Sequence, residues 1–206
     1  MVTDWKLWKI SFWNKVMEKL QLNFKPFPYL NSSRLLFRLL SESDVNEVFE
    51  LRSDPVVMKY IPRPLAKTKD DALEHIQTVQ SIIDNNQGIN WGLTLKEANK
   101  LIGIIGLYRI QPENYRCELG YILLPEFQNK GYISEAIKTV LHYAFEVLKF
   151  HSIEAIIDPD NAASERVLLK NGFVKEAHIL ENVYWDGSFL DTVIYSLLKR
   201  NFVASN

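Results

Sequence analysis

The chain has a single cysteine, Cys117, in 206 residues. No intrachain disulfide framework can form, and with no signal peptide at the start a reducing cytoplasm is the expected compartment. Charge of one sign is also missing. The 24 Lys and Arg balance 25 Asp and Glu, and without a long run of either sign there is no nucleic-acid footprint. No apolar run approaches the roughly 20 residues needed to cross a bilayer, so no membrane span is expected. GxGxxG, Walker and nucleophile-elbow patterns are absent. His75, His142, His151 and His178 are scattered. His142 and Glu146 share a helix face but have no third ligand at suitable spacing, so no metal is expected. Cys117 has no histidine beside it in sequence and reads as a buried or half-buried thiol.

The chain does have enough apolar residues, 47% of the total, to build a substantial core. Residues 1–30 differ in character from the rest. Trp5, Trp8, Phe12, Val16 and Leu20 recur at helical spacing, interleaved with Lys6, Lys9, Lys15 and Lys19, and Lys25-Pro26-Phe27-Pro28 closes the segment. This pattern predicts an amphipathic helix and a short extended linker. The helix would pack on its own domain, meet a second copy in a homodimer, or lie on a membrane surface. A main domain is expected over 31–206.

Within that domain, Arg34 to Leu40 reads as a strand. A short helix through Val48 and Leu51 follows, capped by Ser41, Ser43 or Asp44 and broken by Ser53-Asp54-Pro55. A second helix runs from Lys69 to Ile83. Asn90 to Leu95 and Leu101 to Ile110 form a hairpin, and Cys117 to Leu124 is a further strand. From about Gly131 to Leu148 an unbroken apolar face predicts a third helix, which must cover a sheet. Ile153 to Ile157 is a buried strand, and the handedness of the crossover sets it parallel to the Cys117 strand, with a cleft at the strand ends. A fourth helix, Asn161 to Leu169, and two terminal strands complete the chain. The fold class is α+β, a mixed, mostly antiparallel sheet of about seven strands flanked by four helices.

Between the Cys117 strand and the third helix lies Gln128-Asn129-Lys130-Gly131-Tyr132-Ile133-Ser134-Glu135-Ala136. Gly131 permits a turn and close approach to the backbone. The helix that follows offers unpaired N–H groups and the positive end of its dipole, a setting for a phosphate or pyrophosphate, with the charge of Lys130 alongside.

Three segments together resemble the GNAT N-acetyltransferase superfamily, and within it the RimJ/RimL-like branch. They are Arg34 to Arg38 with Ser43-Asp44 and Arg52 to Met58; Gln128 to Ala136; and Asn161-Ala162-Ala163-Ser164 with Lys170 to Phe173. The resemblance implies an acetyl-CoA-dependent enzyme acting on an amine acceptor, either a protein N-terminus or a small molecule. It places backbone contacts to the acetyl and pantetheine groups along Ile122, Leu123 and Leu124, with the Leu123 N–H polarising the carbonyl. Gln128, Asn129, Lys130, Gly131, Tyr132, Ile133 and Ser134 would bind the cofactor phosphates, and Asn161 would either contact the pantetheine arm or simply cap its helix. Leu168 stands where many members carry a tyrosine that protonates the thiolate, and Asn129 where the loop often has glycine. Acetyl transfer needs a base for the ammonium and a donor for the thiolate. Glu118 is the candidate base, or else a cross-strand partner of a basic residue. Ser164 is the candidate donor, or else a helix-surface serine. Tyr184 and Trp185, at a hairpin tip, are candidate acceptor contacts. A non-catalytic acyl-CoA-binding module is the reading from another class.

Overall fold

The computed structural model describes residues 19–202; of the helix expected over Trp5 to Leu20, Trp5, Trp8, Phe12 and Val16 lie outside them, and Lys19 and Leu20, which are described, are not helical. Eight strands form one sheet in the order β1 (Leu30–Asn31), β2 (Leu35–Arg38), β3 (Ile89–Leu95), β4 (Ala98–Gln111), β5 (Arg116–Leu123), β6 (Ser152–Ile157), β8 (Ser188–Leu198), β7 (Val174–Trp185). Every pairing is antiparallel except β5 with β6, which is parallel as the crossover rule requires. The eighth strand, beyond the seven expected, is the two-residue β1, which pairs with Leu36 and Phe37 of β2. A segment that short carries no periodicity of its own.

The helices are α1 (Val45–Ser53), α2 (Pro55–Met58), α3 (Lys69–Asp84), α4 (Tyr132–His142) and α5 (Ala162–Lys170). Asp54 ends α1, and its carboxylate accepts the Val56 N–H at 2.7 Å, so the expected break starts a further one-turn helix. In α3 the Thr68 hydroxyl accepts from the Asp71 N–H and the Asp71 carboxylate accepts from the Thr68 N–H at 2.9 Å, a reciprocal cap. Ala72, Ile76, Val79 and Ile83 of α3 are buried, the face read from the sequence. α4 buries Ala136, Ile137, Val140 and Leu141, and its final turn widens to a π-turn over Tyr143–Val147. Each large apolar side chain so buried contributes roughly 1.5–3 kcal/mol.

The two helix layers lie on opposite faces of the sheet, as side-chain alternation shows. Trp91, Ile105 and Tyr121 are cross-strand partners, and Trp91 meets the π-turn ring of Tyr143 at 5.7 Å. Their neighbours Asn90, Gly106 and Gly120 share the face towards α3. Residues 19–30, of which Lys25 to Pro28 was expected to be an extended linker, are packed along the domain. Phe24 is fully buried, its N–H donates to Asn86 Oδ1 at 2.9 Å, and the Pro28 carbonyl accepts the Trp91 indole N–H at 2.7 Å. The apolar residues of this strap explain the difference, since the core takes them in.

Candidate active site

β5 and β6 pair only from Arg116 to Glu118 and from Ser152 to Glu154, and beyond that the two strands splay. A cleft of about 1690 Å³ occupies the gap and is lined by Gly120 to Leu123 of β5 and by Ala155 to Ile157 of β6. The Leu124 N–H donates to the Ile102 carbonyl of β4 at 2.9 Å. Backbone alternation therefore turns the amide of Leu123 the other way, towards the side that β6 has left.

The first turn of α4 closes one end of the cleft. Its N-cap is Gly131, with φ +79° and no side-chain cap, so the amides of Tyr132, Ile133 and Ser134 are not taken by a capping side chain. Asn129 also has positive φ, 58°, which accounts for Gly or Asn at that position. Arg34, at the start of β2, holds the turn from outside. Its Nη1 donates to the Lys130 carbonyl at 3.1 Å, its Nε to Glu135 Oε2 at 2.6 Å, and its guanidinium lies 4.4 Å from the Tyr132 ring centroid. Burial would raise the Glu135 carboxyl, but the hydroxyls of Ser32 and Ser33 and the amide and guanidinium of Arg34 outweigh it and hold the group at about 2. Gln128 is drawn into local structure, its amide donating to the Leu123 carbonyl at 3.0 Å.

On the same face α5 supplies Asn161 and Ser164. Asn161 caps the helix, its Oδ1 accepting the Ser164 N–H at 3.1 Å. Ser164 is buried, and its hydroxyl lies 2.7 Å from that of Tyr121. Burial pushes the Tyr121 phenol up to about 12, even with Ser164 bonded to it, so it stays protonated and can donate.

On the opposite face Glu118 stands where the splay begins. Its carboxylate meets Arg109 Nη1 at 2.8 Å, with the Glu118 side chain 16% exposed and that of Arg109 66% exposed. Burial raises the Glu118 carboxyl from its ordinary value despite the Arg109 charge that opposes it. The Tyr108 ring packs against Gly120, where an added Cβ would sit 2.9 Å from the ring. His75 of α3 joins this end of the cleft, its imidazole lowered to about 4 by burial and by the charges of Arg52 and Arg63, and so neutral at pH 7.

Comparison with known proteins places this fold in a family. The model of the Acetyltransferase (GNAT) domain matches residues 34–174. The chain belongs to the GNAT acetyltransferase family. The N-acetyltransferase YoaA of Bacillus subtilis (strain 168), itself uncharacterized, is 34% identical over 173 residues, covering 84% of this chain and 98% of that protein. A spermidine N(1)-acetyltransferase of Vibrio cholerae is 26% identical over 84% of this chain and 97% of its own length. The crystal structure of a GNAT-family acetyltransferase from Bacillus anthracis is 29% identical, with a TM-score of 0.76 over 84% of this chain and 99% of that one.

The protein is thus an N-acetyltransferase, and its family draws the acetyl group from acetyl-CoA. In this acetyltransferase the cleft brings together Glu118, Ile122, Leu123, Gln128, Asn129, Gly131, Tyr132, Ile133, Ser134, Asn161, Ser164 and Trp185. Three other expected residues stand apart. Leu124 is fully buried with its N–H given to Ile102. Lys130 Nζ lies 5.7 Å from the Phe127 ring centroid, outside the cleft. Tyr184 stacks on Phe189 at 5.0 Å, because alternation along β7 turns it away from the face that Trp185 shows to the cleft. Sequence reasoning missed Tyr121 and the holding role of Arg34. Tyr121 could have been found from its parity with Cys117 and Leu119, which puts it on the α5 face. Leu168, at the position where the resemblance implies a tyrosine in many members, is fully buried. Cys117 is also fully buried, and burial pushes its thiol up, out of nucleophile range.

Proposed function

We propose that this acetyltransferase belongs to the RimJ/RimL-like branch and moves an acetyl group from acetyl-CoA to the α-amine of a peptide or protein N-terminus. The observation that carries the reading is Glu118, a carboxylate raised by burial that faces the acceptor end of the cleft. The unclaimed amides of Tyr132 to Ser134 would hold the cofactor phosphates, and the strand edge at Leu123, with the Ile122 side chain beside it, would hold the pantetheine arm. The Leu123 N–H polarises the thioester carbonyl. The amine nitrogen bonds to the carbonyl carbon, its proton passes to Glu118 through a water, and the carbon–sulfur bond breaks. Ser164 gives a proton to the thiolate as it takes one from the Tyr121 hydroxyl it contacts, and the phenol regains its proton from solvent.

The demand on the base separates the acceptors. An α-amine of pKa near 7.7–8.0 is roughly a tenth to a sixth free base at pH 7, whereas a lysine near 10.4 is about four in ten thousand. One modestly raised carboxylate suits the former. A second reading, a small polyamine acceptor, has the spermidine-acetylating relative in its favour. Competition among an N-terminal peptide, an α-blocked lysine peptide and spermidine, with released thiol and product masses followed, tests the assignment. Preferential acetylation of the α-amine is expected. A higher kcat/KM on spermidine or on the lysine peptide would refute it.

A further inference from the structure

Three carboxylates line the cleft, and each has a partner. Glu118 is met by Arg109, Asp191 by His178 and the Glu181 N–H, and Asp158 by the Asp160 N–H. Two arginines at the Glu118 end of the same cleft are in the opposite condition, as is Arg166 on α5 across the sheet. Arg52 and Arg63 make no side-chain hydrogen bond or ion pair among the described residues. Arg52 is half-buried in the last turn of α1. A guanidinium taken partly out of water without a counter-charge is costly, and its planar fork matches a carboxylate or phosphate.

The backbone fixes the two arginines at one end. The Ala66 N–H donates to the Arg52 carbonyl at 3.0 Å, which returns the loop after α2 to the end of α1. The Ile61 N–H donates to Met58 at 2.8 Å and the Arg63 N–H to Ile61 at 2.7 Å, folding the loop over the cleft. Burial, and then the charge of Arg63, lowers the Arg52 pKa, and burial, followed by the charges of both arginines, lowers that of the His75 imidazole. This end lies on the Glu118 face of the sheet, across from α5 and the amides of α4.

We propose that the acceptor carries an anionic group, a carboxylate or phosphate within a few bonds of the reacting amine or on the residues next to it, and that Arg52 and Arg63 bind that group and select against polycations. The proposal rests on the reading of the Glu118 side as the acceptor side. It goes beyond that reading in giving the acceptor a charge.

The test varies charge on two acceptor scaffolds. One is a serine-led pentapeptide amide with glutamate at its second and third positions, paired with the same peptide carrying glutamine. The other is β-alanine, paired with β-alaninamide, and spermidine is run alongside. The acidic member should exceed the neutral one in kcat/KM by roughly ten- to a hundred-fold, the loss expected when a charge-assisted bond is removed. Arg52→Gln and Arg63→Gln should each bring that ratio towards one, with Arg52→Lys restoring part of it. An unchanged CoA-induced rise in melting temperature confirms that the variants are folded. If only the β-alanine pair is acetylated, with the acidic member preferred, the anionic-acceptor proposal stands and the N-terminal peptide reading falls. Equal rates on acidic and neutral members, a ratio that both variants leave unchanged, spermidine as best acceptor, or no turnover of any anionic acceptor overturns the proposal.

Discussion

Replacing Glu135 with glutamine removes the charge that ties the start of β2 to the first turn of α4. In the native protein one carboxylate oxygen accepts from Ser32 Oγ at 2.6 Å, Ser33 Oγ at 2.9 Å and the Arg34 N–H at 2.8 Å, and the other accepts Arg34 Nε at 2.6 Å. A carboxyl moved from an ordinary value near 4.3 to about 2 implies a ceiling of roughly 3 kcal/mol of stabilisation at neutral pH. Arg34 is 46% exposed, and solvent screening reduces that to about 2 kcal/mol. Because the folded-state pKa is depressed, this contribution is full above the unfolded value and is lost as pH falls through 4.3 towards 2. Urea unfolding of wild type and Glu135→Gln at pH 7, 5 and 3 should show a gap of about 2 kcal/mol at the first two values that narrows at the third. Since Arg34 also holds the Lys130 carbonyl, CoA affinity should weaken in parallel. A gap below about 0.5 kcal/mol at pH 7, or one that does not change with pH, would refute the reasoning.

Three further outcomes follow from single contacts. Gly131→Val forces a β-branched residue to a positive φ of 79° beside the amides of α4, at roughly 1–2 kcal/mol, and should abolish the CoA-induced rise in melting temperature; a full rise would remove the loop from the binding site. Phe24→Ala, which empties a fully buried site in the strap before β1, should cost about 3–5 kcal/mol in urea unfolding, and a loss under about 1 kcal/mol would mean that the strap is dispensable. Ser164→Ala and Tyr121→Phe remove the two ends of one 2.7 Å contact; each should lower kcat by about tenfold with the double variant little worse, whereas multiplying losses would separate their roles.

Long periodic elements were legible from sequence because their burial repeats. The α3 face of Ala72, Ile76, Val79 and Ile83 and the parallel placing of β6 were both readable before any coordinates. β1, two residues long, and α2, four residues long, were not, since neither is long enough for its pattern to repeat. The cofactor-side loop showed itself through Gly131 at a strand-to-helix junction. The contacts across the sheet left no such trace. Tyr121 meets Ser164 over a separation of 43 residues and Arg34 meets Glu135 over 101, and nothing local marks either pair. Glu118 was named as base or cross-strand partner, and its carboxylate does pair with Arg109 while lining the cleft. Leu124 came from the family resemblance and Tyr184 from its place at a hairpin tip, and backbone alternation turns the Leu124 amide to β4 and the Tyr184 ring away from the cleft.

The most direct measurement of the account is kcat/KM against pH for wild type and Glu118→Gln on the best α-amine peptide. A base must be deprotonated to act, so the wild-type profile should rise with pH through a Glu118 pKa raised from its ordinary value by burial. Glu118→Gln should lose that limb and fall by about 10²-fold near pH 7. Profiles that coincide in height and shape would make Glu118 a structural partner of Arg109 and contradict the mechanism.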